Sequence, residues 1–123
     1  NKENEEMPFD GVWTSEMLGI YNWTGISTLF LENGRYLGGS SDHFEIGRYS
    51  TDGDSIVVNL QVTQYGEVRT MFGAKQKHID TVIEGERNGD VIRGTLQLKD
   101  AKNDAIGYQI RLTRRQGLPT PIQ

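Results

Sequence analysis

Cysteine is absent from this chain of 123 residues, and proline occurs only three times. The absence of cysteine excludes disulfide bonds and thiolate chemistry. Apolar runs reach only about four to six residues, too short for a membrane-spanning helix, so we expect a soluble protein without a membrane span. The chain has 13 basic and 17 acidic residues, which gives a net charge of −4. Phosphate contacts need a basic surface, so we expect no direct binding of nucleic acid.

Residues typical of metal and catalytic sites are also scarce. His43 and His78 are the two histidines, and they lie far apart in sequence without cysteine or closely spaced carboxylates. We therefore interpret them as surface or loop residues and expect no metal site and no cofactor. A nucleophile motif such as Gly-x-Ser-x-Gly is missing, and so we expect no enzymatic activity.

Alternation of apolar and polar residues with period two predicts an all-β domain. The pattern is clearest over 55–64, 91–98 and 106–113, and Asn33-Gly34 and Asn88-Gly89 are strong signals for hairpin turns. Strands are predicted near 10–17, 23–32, 34–40, 43–50, 54–64, 77–87, 91–98 and 105–114.

Short connections between these strands favour antiparallel pairing of sequence neighbours. Eight such strands predict a closed, lipocalin-like up-and-down barrel, and a two-sheet sandwich is the alternative. We divide the chain into a disordered leader or added remnant (1–6), the barrel (7–115) and an extended tail (116–123). If Met7 is the native start, the protein is cytoplasmic. If a signal was cleaved before Asn1, it is exported.

Two apolar segments lie outside the predicted strands. The segment 66–77 is interpreted as a loop whose Met71-Phe72 pair plugs one barrel end, or as an irregular strand start. The loop 18–23 carries Ile20, Tyr21 and Trp23. These side chains form either a contact surface, which predicts a homodimer, or a lid over the barrel mouth.

The inward-facing residues of the predicted barrel are the candidate ligand-binding set. Whether they enclose a cavity or pack solidly depends on the space left beside Gly38, Gly85 and Gly94. The candidates are Tyr36, Phe44, Ile56, Val58, Ile83, Leu96 and Tyr108.

Gly11-Val12-Trp13, at the start of the first strand, resembles the Gly-x-Trp signature of the lipocalin and fatty-acid-binding superfamily. The resemblance implies that an arginine of the last strand lies across the tryptophan and closes the barrel base. Arg111 and Arg114 are the candidates for that role.

A second resemblance covers nearly the whole domain. The segment 30–49 (FLENGRYLGGSSDHFEIGRY), followed by Asp52-Gly53-Asp54, Phe72-Gly73 and Leu112-Thr113-Arg114, is similar to the GrlR family of small bacterial regulators. The resemblance implies a dimeric, cytoplasmic, lipocalin-like barrel. The founding member of that family represses type III secretion by binding a transcriptional activator, not DNA. That repressor has an acidic run after its fourth strand, and Asp52 and Asp54 are the corresponding partner-binding candidates here.

Two functions follow from this reading. The first is a non-enzymatic bacterial regulator that binds a partner protein and can also hold an apolar small molecule. The alternative is a small carrier or sensor whose main role is to bind that molecule. The barrel interior separates them, since a cavity with a few polar groups favours the carrier.

Overall fold

The computed structural model describes residues 8–102 and 107–122, which form ten β-strands without a helix. The strands are β1 (Gly11–Leu18), β2 (Trp23–Glu32), β3 (Arg35–Gly39), β4 (Phe44–Asp52), β5 (Ser55–Thr63), β6 (Thr70–Met71), β7 (Ala74–Lys75), β8 (His78–Asn88), β9 (Val91–Leu98) and β10 (Gly107–Gln116). The described residues contain no helix that could span a membrane.

Eight of these strands close into an antiparallel barrel, in the order β1-β10-β9-β8-β5-β4-β3-β2. The two short strands β6 and β7 pair only with each other and form a hairpin between β5 and β8. The prediction of an eight-stranded up-and-down barrel is confirmed, and the sandwich alternative is wrong. The predicted strand bounds agree with the observed ones to within about two residues, which is the accuracy expected of sequence patterns. The leader 1–6 and position 106, the first of the alternating pattern over 106–113, lie outside the described residues.

Positive φ angles at the hairpin turns explain their sequences. Asn33 (φ 50°) and Gly34 (φ 83°) join β2 to β3, and Gly53 and Gly89 adopt similar angles between β4 and β5 and between β8 and β9. Asparagine and glycine tolerate this conformation best. These three turns define the lower end of the barrel. Loops 19–22, 40–43 and 64–77 define its upper end.

The lower half of the barrel is closed by Trp13, whose side chain is fully buried. Trp13 pairs with Arg114 of β10, and its Nε1 donates a hydrogen bond of 2.8 Å to the carbonyl oxygen of Phe9. A side chain at Gly11 would bring a Cβ to 2.7 Å from the Gln116 carbonyl oxygen. The close approach of β1 and β10 therefore requires the glycine of the Gly-x-Trp motif.

The cation over Trp13 comes from a different strand than predicted. The guanidinium carbon of Arg87, on β8, lies 5.3 Å from the Trp13 ring centroid and 4.9 Å from that of Phe9. Arg111 lies 4.3 Å from the ring of Trp23 on the outer face, so its predicted stacking on Trp13 is wrong. Arg114 contributes to barrel closure in another way, because its Nε and Nη2 donate to the Asp10 carbonyl oxygen.

The predicted inward position of Phe44 is wrong. Phe44 is 40% exposed and stacks on Tyr65 outside the barrel, with ring centroids 6.1 Å apart. The other face of β4 is the inner one, and it carries Glu45, Gly47 and Tyr49. Gly47 permits close contact with β5, because a Cβ there would lie 2.2 Å from the Asn59 carbonyl oxygen.

Candidate functional site

The upper half of the barrel contains a cavity of about 280 Å³. Its volume lies just below the usual range for small-molecule sites, roughly 300–1,000 Å³. Apolar side chains form most of the wall: Met17, Ile26, Leu60, Val62, Met71, Ile83, Leu96 and Ile110.

Four of the seven predicted ligand-binding residues line this cavity, namely Tyr36, Ile83, Leu96 and Tyr108. Ile56 and Val58 are buried but belong to the packed core and are not part of the cavity wall. Phe44 lies outside the barrel, as described above. The cavity is thus restricted to one half of the interior, because β5 passes from the packed half at Ile56 to the cavity at Leu60.

Gly38, Gly85 and Gly94 do not create the space. A Cβ at Gly94 would lie 2.0 Å from the Glu84 carbonyl oxygen, and one at Gly85 would lie 2.8 Å from a methyl carbon of Ile92. At Gly38 a Cβ would lie 2.7 Å from that of Leu29. These glycines permit close strand packing, so the cavity arises from the arrangement of larger side chains above them.

A buried carboxylate forms the centre of one polar wall. Glu45 is only 5% exposed. Its Oε1 accepts a hydrogen bond of 3.1 Å from Ser27, whose hydroxyl lies 2.6 Å from that of Ser15. Its Oε2 lies 2.6 Å from Nε2 of His43. Buried ionised groups are tolerated when they are paired and hydrogen-bonded in this way.

His43 connects the buried carboxylate to the rim of the cavity. Its Nδ1 lies 2.7 Å from the hydroxyl of Ser40 and 3.5 Å from Oδ1 of Asp42. The hydrogen bond to Glu45 raises the pKa of His43 despite the opposing effect of burial. The hydrogen bond from Ser40 lowers the pKa of Asp42. His43 is in a loop, as predicted, but its side chain is only 12% exposed.

Tyr36 completes the polar wall. Its side chain is almost fully buried, and burial raises the pKa of its hydroxyl well above the ordinary value. The negative charge of Glu45 adds to this shift. Tyr36 therefore stays neutral and presents a hydroxyl beside the carboxylate.

The side chains of Ser40, His43 and Glu45 contact one another in series, as the nucleophile, base and acid of a catalytic triad do. The chemistry of that arrangement needs a neutral imidazole that accepts the serine proton. Ser40 instead donates its own proton to Asp42 over 2.9 Å, so this proton is not directed to the imidazole. We therefore interpret these residues as a wall for binding.

The short hairpin β6–β7 covers the upper end. Gln64 holds its base, with Nε2 donating to the carbonyl oxygens of Arg69 and Gln76. At its tip Phe72 packs edge-on against Tyr108, with ring centroids 5.0 Å apart, and its backbone N–H donates to the Tyr108 hydroxyl. The predicted plug is confirmed, because Met71 and Phe72 pack against the core.

The predicted partner-binding residues do not form one surface. Ile20 and Tyr21, 92% and 93% exposed, lie in the loop between β1 and β2 at the upper end. Their lid interpretation is wrong, because a lid would bury them. Trp23 is half-buried under Arg111. Asp52 and Asp54 lie at the lower end, on the opposite side of the barrel.

Searches against family models and against curated proteins gave no match to this chain. The closed antiparallel barrel and its cavity define the class of protein: an all-β barrel with a lipocalin-like architecture. Membership of this chain in the GrlR family, which the sequence resemblance implies, stays a prediction.

Direct titration can check the electrostatics of the polar wall. We expect the His43 ring to titrate above its ordinary pKa of about 6.5, and below the wild-type value when Glu45→Gln removes the charge. The measurement is NMR of the ring protons against pH. A midpoint that is equal in both proteins would contradict the Glu45 pairing.

The same pairing makes stability depend on pH. Because the folded pKa of His43 is raised, its stabilising contribution is fully present below the unfolded pKa and is lost as pH rises through the folded pKa. The loss of stability caused by His43→Gln should therefore be larger at about pH 5.5 than at about pH 9. Urea unfolding of both proteins at the two values measures this difference.

Proposed function

We propose that this protein is a non-enzymatic carrier or sensor of a small molecule that binds in the upper half of the barrel. The observation that supports it is the cavity itself, apolar on most sides and with hydrogen-bonding groups on one wall. Small-molecule sites commonly combine apolar walls with a few convergent polar groups. The occupant is then a small, mostly apolar molecule with one polar end.

Purification from the native host tests this proposal. Native mass spectrometry should show a bound small molecule that is released on denaturation. Met17→Trp adds bulk at the partly buried cavity wall and should abolish the adduct. The matched control is Ile46→Trp, which adds an indole on the outer face, where Ile46 is 52% exposed. An adduct that persists in Met17→Trp, or is absent from the wild type, would contradict binding in the cavity.

A second candidate function is regulation through protein contacts, as the GrlR resemblance implies. It is favoured by the exposure of Ile20 and Tyr21, since exposed aromatic and large aliphatic residues are enriched at interfaces. In this case the protein is a cytoplasmic homodimer that binds a transcriptional activator, and ligand binding modulates that contact.

Oligomeric state tests the role of the upper loop. We expect the wild type to be a dimer and Ile20→Asp to dissociate it, because a two-fold axis places each new charge in the interface twice. Light scattering over a range of concentrations is the measurement. Val57→Asp, on the outer face of β5 where Val57 is 39% exposed, is the control and should stay dimeric. A wild type that is monomeric throughout would exclude the dimer.

A further inference from the structure

The charge distribution around the cavity limits which polar end the ligand can carry. Four cavity-lining residues can bear charge: Asp42, His43, Glu45 and Arg69. Glu45 is the most buried, with 6% of its side chain exposed, and His43 follows with 12%. The side chain of Arg69 is 67% exposed and pairs with Asp42 at 3.4 Å and with Glu67 at 3.7 Å.

The most buried charged group in the cavity is thus a carboxylate. A carboxylate or phosphate group on a ligand would meet Glu45 within a low-dielectric interior and Asp42 at the rim, and repulsion would oppose its entry. Arg69 offers little compensation, because solvent and its own carboxylate partners screen it. Anionic ligands are therefore disfavoured.

The positive charge that balances Glu45 is carried by His43, which can lose it by deprotonation. His43 is the cationic partner of Glu45 at 2.6 Å, and an imidazole can lose its proton near neutral pH. An ammonium group is a compact cation with several N–H donors, and it can make the same charge-assisted contact with a carboxylate. The hydroxyl oxygens of Ser15 and Tyr36, which line the same cavity, are further acceptors for its protons.

We infer that the ligand is an organic ammonium compound with a short apolar body, bound with its nitrogen against Glu45 and its body against Leu60, Ile83 and Leu96. This inference rests on the proposed carrier function and names its substrate class. The cavity volume of about 280 Å³ restricts the body to one small ring or a short chain.

Binding of a cation is coupled to the His43 proton. A second positive charge beside His43 lowers the affinity of the ring for its proton, so binding releases a proton and becomes tighter as pH rises through the His43 pKa. The other titratable groups facing the ring are Glu45, Asp42, whose pKa is lowered, and Tyr36, whose pKa is raised well above its ordinary value.

Calorimetric titration with three compounds that share a phenylethyl group tests the inference: 2-phenylethylamine, 2-phenylethanol and 3-phenylpropionate. We expect the amine to bind at least about tenfold more tightly than the alcohol at pH 8, and the acid to bind most weakly. Glu45→Gln should lower amine affinity about tenfold or more while changing alcohol affinity by less than about threefold. Glu84→Gln removes an exposed carboxylate from the outer face of β8 and should leave all three affinities unchanged.

A second measurement needs no variant. Titration of the wild type with the amine near pH 6.5, in buffers of different ionisation enthalpy, should show proton release that is absent with the alcohol. Equal affinity for amine and alcohol without proton release would overturn the ammonium inference and leave the carrier proposal intact. Tighter binding of the acid would overturn it as well. If none of the three binds and the host protein carries no adduct, both the inference and the carrier proposal fail.

Discussion

Trp13→Ala should cost about 3–5 kcal/mol of the free energy of unfolding, which is typical of a large aromatic side chain removed from a core. The fully buried indole fills the lower half of the barrel, packs under Arg87 and donates a hydrogen bond to the Phe9 carbonyl oxygen. Its removal leaves a cavity beneath the β1–β10 seam and an unpaired carbonyl. Denaturant unfolding monitored by circular dichroism gives the difference directly.

Trp23→Ala is the matched control for this substitution. Trp23 is only partly buried, and its ring contacts Arg111 on the outer face, so its loss should cost about 1 kcal/mol or less. If Trp13→Ala costs less than about 1 kcal/mol, the Gly-x-Trp motif does not have the closing role described here. A variant too unstable to purify can be replaced by Trp13→Phe, which keeps an aromatic ring and removes the hydrogen bond.

Gly94→Ala should be the most damaging of the glycine substitutions, with a loss of about 3 kcal/mol or more. A Cβ at this position would lie 2.0 Å from the Glu84 carbonyl oxygen and 2.7 Å from Cα of Gly85. Both neighbours are backbone atoms of the paired strand β8, so no rotamer change can relieve the overlap. Strands β8 and β9 would have to separate at the Gly85–Gly94 pair.

The control is Gly25→Ala in β2. No atom lies within 4 Å of a Cβ built at Gly25, and alanine loses less chain entropy than glycine on folding. We therefore expect a change between zero and about 1 kcal/mol of added stability. Urea unfolding of both variants measures the contrast, and equal losses would show that close strand contact at Gly94 is unimportant.

The fold could be predicted from the sequence because the residues that determine it act locally. Alternation in 55–64 and 91–98, together with Asn33-Gly34 and Asn88-Gly89, specifies strand faces and turns without knowledge of distant contacts. The identity of the cation over Trp13, Arg87, could not be predicted in this way. Arg87 reaches Trp13 across the barrel interior, and nothing in the local pattern of β8 indicates that contact.

The polar wall was missed because it violates the rule that predicts strand faces. On β4 that rule places Phe44 and Ile46 inside, whereas the structure buries Glu45 and exposes both apolar residues. Charged residues occur on both faces, with Glu45 on the inner one and Arg48 and Asp52 on the outer one. Violations of local patterning tend to occur at functional sites, so the burial of Glu45 on β4 points to a functional role for the polar wall.

The signals that could have identified the inner face are Gly47 and Tyr49. A glycine in a strand often marks close approach of a neighbour, and both share a face with Glu45. His43 was recognised only as a loop residue, because its contact with Glu45 depends on the direction in which the chain enters β4.

Chemical-shift mapping by NMR tests the central claim, ligand binding in the upper half of the barrel, most directly. Titration with 2-phenylethanol, which carries no charge, should shift the amide signals of Tyr36, Glu45 and Leu96 around the cavity. Signals of Ile56, Val58 and Ile92 in the packed lower half should stay unchanged. An absence of shifts at the cavity residues, or shifts confined to the outer surface, would contradict the account.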